Sequence, residues 1–411
     1  MKNLNSEMEN AFNKELNLIH NDMYYQQIEI DKYEKRIFVR YDISYKPLEI
    51  LGGDSYSIRK TDDGKIITFM LDAMGKGISA SITATTSTAL LNYIFDQMKI
   101  QGDFEFNRWI KRYISFIKDN LLDNEMLSAI FTCYDRKISL FDYASFGMPS
   151  FLIVNDEGTF SKIKSNNAPI SQYMGEYRID TIVVKGIKKA LFYTDGLCEN
   201  SMEDGTLYKE KMYEDFLESS SILDFQKKFN ARVPHKSDDV LFFYLSTVTY
   251  NDNFIYKEIA ASREAVSDAL LEISTYMQEQ GADVKNLSEL SLALSELLMN
   301  SLEHGVFNMN RGSKNSMIEK GQYDSKLIEL EEKYKDRHIR VRYIVTKENE
   351  EKVFIARISD GGKGFDVKLL KNLVVNSQNF NGRGIMIVKK LLDMLYYNEK
   401  GNTITIRKFL N

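Results

Sequence analysis

Four short segments in the first 250 residues place an acid at the end of an apolar run or beside a glycine turn. They are Gly52-Gly53-Asp54, Asp72-Ala73-Met74-Gly75-Lys76-Gly77, Thr194-Asp195-Gly196 and Ser237-Asp238-Asp239. Hard divalent cations such as Mg²⁺ and Mn²⁺ take carboxylate, carbonyl and water oxygens, so four acids of this kind could converge on a pair of them. Asp72 follows IITFML and precedes a glycine-rich turn, which lets its carboxylate and the Ala73 carbonyl face one ion. Any one of these segments by itself is an ordinary turn. It is the order and context of all four that point to metal chemistry.

A second set occupies the last 120 residues. In ELLMNSLEHG, Glu296, Asn300 and His304 are spaced four apart, so a helix would carry them as one polar stripe among Leu294, Leu297, Leu298 and Leu302. Asp360-Gly361-Gly362-Lys363-Gly364 follows the strand-like VFIARIS, and Gly382-Arg383-Gly384 opens an apolar helical run. Glycines at a helix start leave backbone N–H groups free for phosphate, and the helix dipole adds to that attraction. This combination suits a nucleotide.

At 411 residues the chain is too long for one core and fits two domains. Its net charge of -5 and lack of a basic stripe argue against nucleic acid. The two cysteines, Cys133 and Cys198, show neither disulfide nor zinc spacing, which suits a reducing cytoplasm. There is no apolar run long enough to span a membrane and no signal-peptide core, so a soluble cytoplasmic chain without membrane contact is expected. Residues 5 to 33 place Phe12, Leu16, Ile19, Met23, Ile30 and Tyr33 at helical spacing. An N-terminal amphipathic helix is therefore expected over residues 1–35, packed on its own domain or pairing two copies as a homodimer.

From Ile37 the pattern turns to short β-like runs (FVRYDISY, KIITFMLDA, SAIFTCYDR, ISLFDYASF, SFLIVND, KALFYTD, DVLFFYLST). Helical stretches fall near 78–97 and 104–121, with a further pair between about 207 and 230. An α+β layered domain over 36–246 follows, then a polar linker at 247–253. Over 254–411 the order is strand, helix, helix, strand, strand, helix. Ser262 is placed to cap the first of these helices and Gly281 to end it, and a long polar insertion separates Gly305 from His338.

Taken together, the four acidic segments resemble the metal-dependent protein phosphatases (phosphatase 2C), in their bacterial SpoIIE-like branch. The resemblance implies a β-sandwich flanked by helices. It also implies that Asp72 bridges two Mn²⁺ or Mg²⁺ ions, the Ala73 carbonyl binds one, Asp195 and Asp238 hold the other, and Asp54 acts through metal-bound water. Where the family has an Ala-Gly-His-Pro-Pro-like turn, this chain reads Ala144-Ser145-Phe146-Gly147-Met148-Pro149, without the histidine.

The C-terminal motifs resemble the GHKL ATPases, especially the anti-sigma-factor serine kinases of the RsbW type, which have an α/β two-layer sandwich. By that resemblance Asn300 ligates Mg²⁺, Asp360 hydrogen-bonds the adenine amine of ATP, and Gly362, Gly364, Gly382, Arg383 and Gly384 form the lid and phosphate cradle. Glu296 is the general base for a partner's serine, and His304 orders the site. The implied partner is a STAS-domain anti-sigma-factor antagonist, dephosphorylated on serine or threonine by one domain and phosphorylated by the other, with a sigma factor or upstream sensor as further partners. Opposed activities would cycle ATP if both were always on, so the N-terminal segment or a partner is expected to set their balance. Two alternatives stand beside this bifunctional regulator: a phosphatase whose C-terminal domain only senses ATP, and a non-catalytic partner-binding protein.

Overall fold

The computed structural model describes residues 28–32, 35–48, 52–75, 77–135, 140–183, 186–249, 254–309, 317, 320–348, 351–365, 367, 383–398 and 400–410. Contacts divide the chain into two compact units whose bodies are Val39–Val248 and Thr249–Asn411.

Strand β1 (Ile28–Lys32) and the start of β2 (Lys35–Lys46) group with the second unit, while the first contains the rest of β2 with β3 (Asp54–Lys60), β4 (Ile66–Ala73), β5 (Leu127–Asp135), β6 (Leu140–Phe146), β7 (Phe151–Asn155), β8 (Phe160–Ile163), β9 (Asp180–Val183), β10 (Ile187–Tyr193) and β11 (Val240–Thr249). One sheet runs β3-β4-β5-β6-β9, antiparallel throughout. The other runs β2-β11-β10-β7-β8 within this unit, with β11, β10, β7 and β8 antiparallel. Their inner faces meet through rings, Phe141 on Phe192 at 5.9 Å and Tyr56 on Phe243 at 5.6 Å. Helices α1 (Ile78–Gln101) and α2 (Phe106–Ile117) cover the outer face of the first sheet, where Trp109 is fully buried against Phe69 and Phe131. A short turn α3 (Asp195–Cys198) leads to α4 (Lys209–Glu218) and α5 (Ile222–Arg232). These last two cover the second sheet through Phe216 on Tyr244 and Phe225 on Phe242. The result is a β-sandwich between helical layers.

Strand β3 is not among the runs expected from sequence, because in DSYSIRK only Tyr56 and Ile58 are apolar and the rest are polar. Those polar residues are buried all the same: Ser55 shares a hydroxyl hydrogen bond with Thr88, Ser57 Oγ donates to Asn92 Oδ1 at 2.9 Å, and Arg59 pairs with Asp96. The rungs align because two residues of strand advance about 6.6–6.8 Å and four residues of helix about 6 Å. The N-terminal helix expected over residues 5–33 lies mostly outside the described residues. Its last part is corrected, since Ile28–Lys32 is strand and IEIDK alternates with a period of two. The linker also begins later than expected, as β11 continues through Thr249.

The second unit contains β12 (Ile255–Ala260), α6 (Arg263–Glu279), α7 (Val284–Asn300), a π-helical turn (Ser301–Val306), α8 (Tyr323–Lys333), β13 (His338–Glu348), β14 (Glu351–Ser359), α9 (Arg383–Leu391), β15 (Met394–Tyr397) and β16 (Thr403–Leu410). Ser262 caps α6 by accepting from the Ala265 N–H at 3.2 Å, and Gly281 follows with φ of 82°, as the sequence indicates. The antiparallel sheet runs β12-β13-β14-β16-β15. Its apolar face, including Val341, Phe354 and Ile406, packs on Ile273, Leu294 and Leu298 in a two-layer α/β sandwich. The hairpin β15–β16 is absent from the element order read from sequence, and α8 is the helical part of the polar insertion.

Candidate active sites

Asp54 begins β3 and lies directly opposite Asp72 near the end of β4. The Ala73 N–H donates to the Gly53 carbonyl at 3.1 Å, which fixes both acids at one end of the sheet. Across the sandwich, Thr194 directly follows β10 and its hydroxyl donates to Asp54 Oδ2 at 2.8 Å. Asp195 follows at once on α3, so the same link that orients Asp54 brings Asp195 to it. Gly196 is required here, because a Cβ at this position would lie 1.9 Å from the Asp239 carbonyl oxygen. The buried Asn200 completes the junction: its side-chain oxygen accepts from the Ser237 N–H at 2.7 Å and its amide donates to the Gly196 carbonyl.

Asp54, Asp72, Asp195, Asp238 and Asp239 thus line one cavity of about 320 Å³, with Ala73, Met126, Ser128 and Pro169 completing its wall. All four acids expected from sequence meet there. Asp239 was not expected to matter; it accepts from the Gly53 N–H at 2.8 Å and the Leu48 N–H at 2.6 Å, so it pins the loop that presents Asp54. The turn lacking the histidine reaches the cavity indirectly, since Gly147 packs on Pro169.

Among the described residues, no lysine or arginine lines this cavity. Burial, then the neighbouring Asp72 carboxylate, hold the Asp54 carboxyl well above its usual range despite the Thr194 hydrogen bond. Burial, then Asp195, push Asp72 up to about 8. Crowded, desolvated acids with no cation among them are a donor set that divalent ions would neutralise. Among the described residues, no three His, Cys, Asp or Glu side chains are arranged to hold an ion by themselves. Ions here would therefore draw on one or two carboxylates each, the Ala73 carbonyl and water, which is the usual habit of Mg²⁺.

In the second unit, Asn300 donates to Glu296 Oε1 at 3.1 Å along α7, as the helical spacing requires. His304 departs from the expected stripe: the backbone widens into the π-helical turn, and Nδ1 meets the Met309 carbonyl oxygen at 2.7 Å. Asp360 follows β14, and its Oδ1 accepts from the Gly362 N–H at 2.7 Å. Burial pushes its carboxyl up to about 6, opposed by that N–H. Asn402 locks the loop, donating to the Gly362 carbonyl at 2.9 Å, while Gly364 packs on the turn at Lys400. Gly384 lies in the first turn of α9 directly over Glu296, where a Cβ would stand 1.7 Å from Oε1. The structure therefore joins Glu296, Asn300 and the start of α9 in one place, and Asp360 with Gly362 in another. Arg383 is the first residue of α9, and Gly382 lies outside the described residues.

Residues 62–247 match the SpoIIE family (Stage II sporulation protein E), and residues 259–408 match the histidine kinase-like ATPase domain. The chain is 24% identical to the phosphoserine phosphatase RsbP of Bacillus subtilis (strain 168) over 250 residues, 58% of this chain and 57% of that protein. It thus spans little more than half the length of RsbP. It is 24% identical over 164 residues to the serine-protein kinase RsbW of Listeria monocytogenes, 38% of this chain and 85% of that protein. A crystal structure of the RsbU and RsbW domains of Rv1364c from Mycobacterium tuberculosis aligns over 90% of this chain and 92% of that one, at 15% identity and a TM-score of 0.47.

Proposed function

We propose, from the premise that this chain joins a SpoIIE-family domain to a histidine kinase-like ATPase domain, that it is a bifunctional partner-switching regulator. The first domain removes phosphate from phosphoserine or phosphothreonine on a STAS-type anti-sigma-factor antagonist, and the second returns it from ATP. The observation that carries this reading is the convergence of Asp54, Asp72, Asp195 and Asp238 on one cavity.

Asp72, Asp195, Asp238 and the Ala73 carbonyl would hold two Mn²⁺ or Mg²⁺ ions. When bound, such ions supply an acidified water and neutralise charge on the phosphoryl oxygens. The chain's own part is orientation. Thr194 aims the Asp54 carboxylate, Asp239 fixes the loop before it, and Asn200 keeps Asp195 and Asp238 together. In the second domain Asn300 would take Mg²⁺, Asp360 the adenine amine, and the glycines with Arg383 the phosphates. Glu296 would accept the proton of the partner's serine hydroxyl as that oxygen bonds to the γ-phosphorus and ADP leaves. Among the described residues no helix is long and apolar enough to cross a membrane, and a cytoplasmic setting is part of the proposal. A sigma factor, an upstream sensor and a homodimer through the N-terminal segment belong to it as well.

The test is release of phosphate from a phosphoserine STAS protein with Mn²⁺, comparing the intact chain with Asp72→Ala and Asp195→Ala. Hydrolysis lost in both variants supports the phosphatase; none by the intact chain rejects it. ATP consumption with the unphosphorylated protein, and its loss in Glu296→Ala, tests the kinase. Binding of ATP without consumption would leave the second domain as a sensor.

A further inference from the structure

A second cavity, of about 360 Å³, opens beside Asp360 and includes residues of the polar insertion. Its wall comprises Gly305, Asn308, Gly362 and Lys363 together with Tyr334 and Arg337, which lie beyond the end of α8. The volume falls within the range of small-molecule sites. Gly305 and Gly362 are also the residues packed on the Asp360 carboxyl, so the cavity and that acid share a wall.

Position along α7 and the turn after it decides which part of a nucleotide would reach this cavity. Glu296 and Gly305 are nine residues apart, about 13 Å at helical rise. The triphosphate belongs at the Glu296 and Gly384 end, so the space beside Gly305 lies toward the nucleoside half. Tyr334 and Arg337 each meet a neighbouring ring there. Tyr334 stacks on Phe307 at 5.8 Å with a 27° interplanar angle, and the Arg337 guanidinium lies 5.4 Å from the centre of the Tyr334 ring. The Arg337 N–H donates to the Tyr334 carbonyl at 2.9 Å, closing the turn that carries both. Arg337 makes no ion pair among the described residues, which leaves its N–H donors for oxygen or nitrogen acceptors on a ligand.

We propose that the insertion supplies the nucleoside-side wall of the ATP site, with Tyr334 and Arg337 as positioning residues for the base and ribose. This rests on the reading of the second domain as an ATP site. The test titrates the full chain with ATP, ADP and adenosine, for the wild type and for Tyr334→Ala, Arg337→Ala and Asp360→Asn. Both insertion variants should weaken all three ligands by a similar factor, about tenfold, as expected for a contact to the part the ligands share. Tyr334→Phe keeps the ring and should bind as the wild type does, which separates loss of the wall from general misfolding. Wild-type affinity for adenosine in both alanine variants, with binding impaired in Asp360→Asn, would overturn the inference and leave the ATP site standing. Weaker ATP with unchanged adenosine would also overturn it, since the contact would then be to phosphate. If the wild type binds none of the three, the ATP reading fails and the inference with it.

Discussion

Thr194 is the residue on which the acidic site turns, because its hydroxyl is the donor that orients the buried Asp54 carboxylate. Thr194→Val keeps the shape and removes that donor. A hydrogen bond to a charged group is worth about 1.5–3 kcal/mol, so phosphate release should fall about tenfold or more, read as initial rate across a Mn²⁺ titration. Asp360 gives the second residue-scale prediction. Its carboxyl is raised to about 6 by burial, so the folded protein holds the proton to a higher pH than the unfolded chain does. The stability this contributes is therefore complete below the ordinary carboxylate range and is lost as pH rises through about 6. The ionised form is the stronger acceptor for an adenine amine, so ATP affinity should drop as pH falls below about 6. Asp360→Asn should bind weakly with a flat profile, and equal pH dependence in both proteins would reject the role given to Asp360. The four acids were legible in sequence because each stands at the edge of an apolar run or beside a glycine turn. Asn200 and Asp239 were not, since their work is to bond backbone groups distant in sequence, and no local pattern marks that.

At the scale of elements, Lys189 shows how a charged residue can hold a layer together. It lies on β10, 8% exposed, and its Nζ donates at 2.7 Å to the carbonyls of Phe216, Leu217 and Ser219 at the C-terminal end of α4. Lys189→Met fills similar space but strips buried acceptors of their donor, and Tyr244 reaches only the Ser219 carbonyl, at 2.8 Å. A loss of about 2–4 kcal/mol is expected, seen as a lower urea midpoint for the first unit with an unchanged slope. The elements that sequence reading recovered have a period carried by apolar residues, such as α6 with its Ser262 cap. Those it missed break that link. β3 buries Ser55, Ser57 and Arg59 because Thr88, Asn92 and Asp96 on α1 answer them, a match visible only once helix and strand lie side by side. β16 is an interior strand of its sheet, yet TITIRKFL carries Arg407 and Thr405 at buried positions, so its pattern reads as half polar. The π-helical turn after α7 was equally hidden, because the spacing of Glu296, Asn300 and His304 fits an uninterrupted α-helix.

For the molecule as a whole, the proposal places opposed reactions on one chain, and stoichiometry can test that directly. With ATP, divalent ions and a limiting amount of an unphosphorylated STAS acceptor, each acceptor would be phosphorylated, released and phosphorylated again. ADP should then pass one equivalent of acceptor and keep rising. Asp195→Ala should stop at one equivalent, because the phosphorylated acceptor can no longer be cleared. Glu296→Ala should make almost no ADP, yet release one equivalent of phosphate from acceptor phosphorylated beforehand. Mixing the two variants should restore continuous turnover, since a diffusible acceptor can visit the working site of each. If each activity is present separately but the intact chain never exceeds one equivalent, then one domain restrains the other within the same chain. The balance would then be set internally rather than by a partner, and truncation of residues 1–33 would be the direct way to look for the restraint.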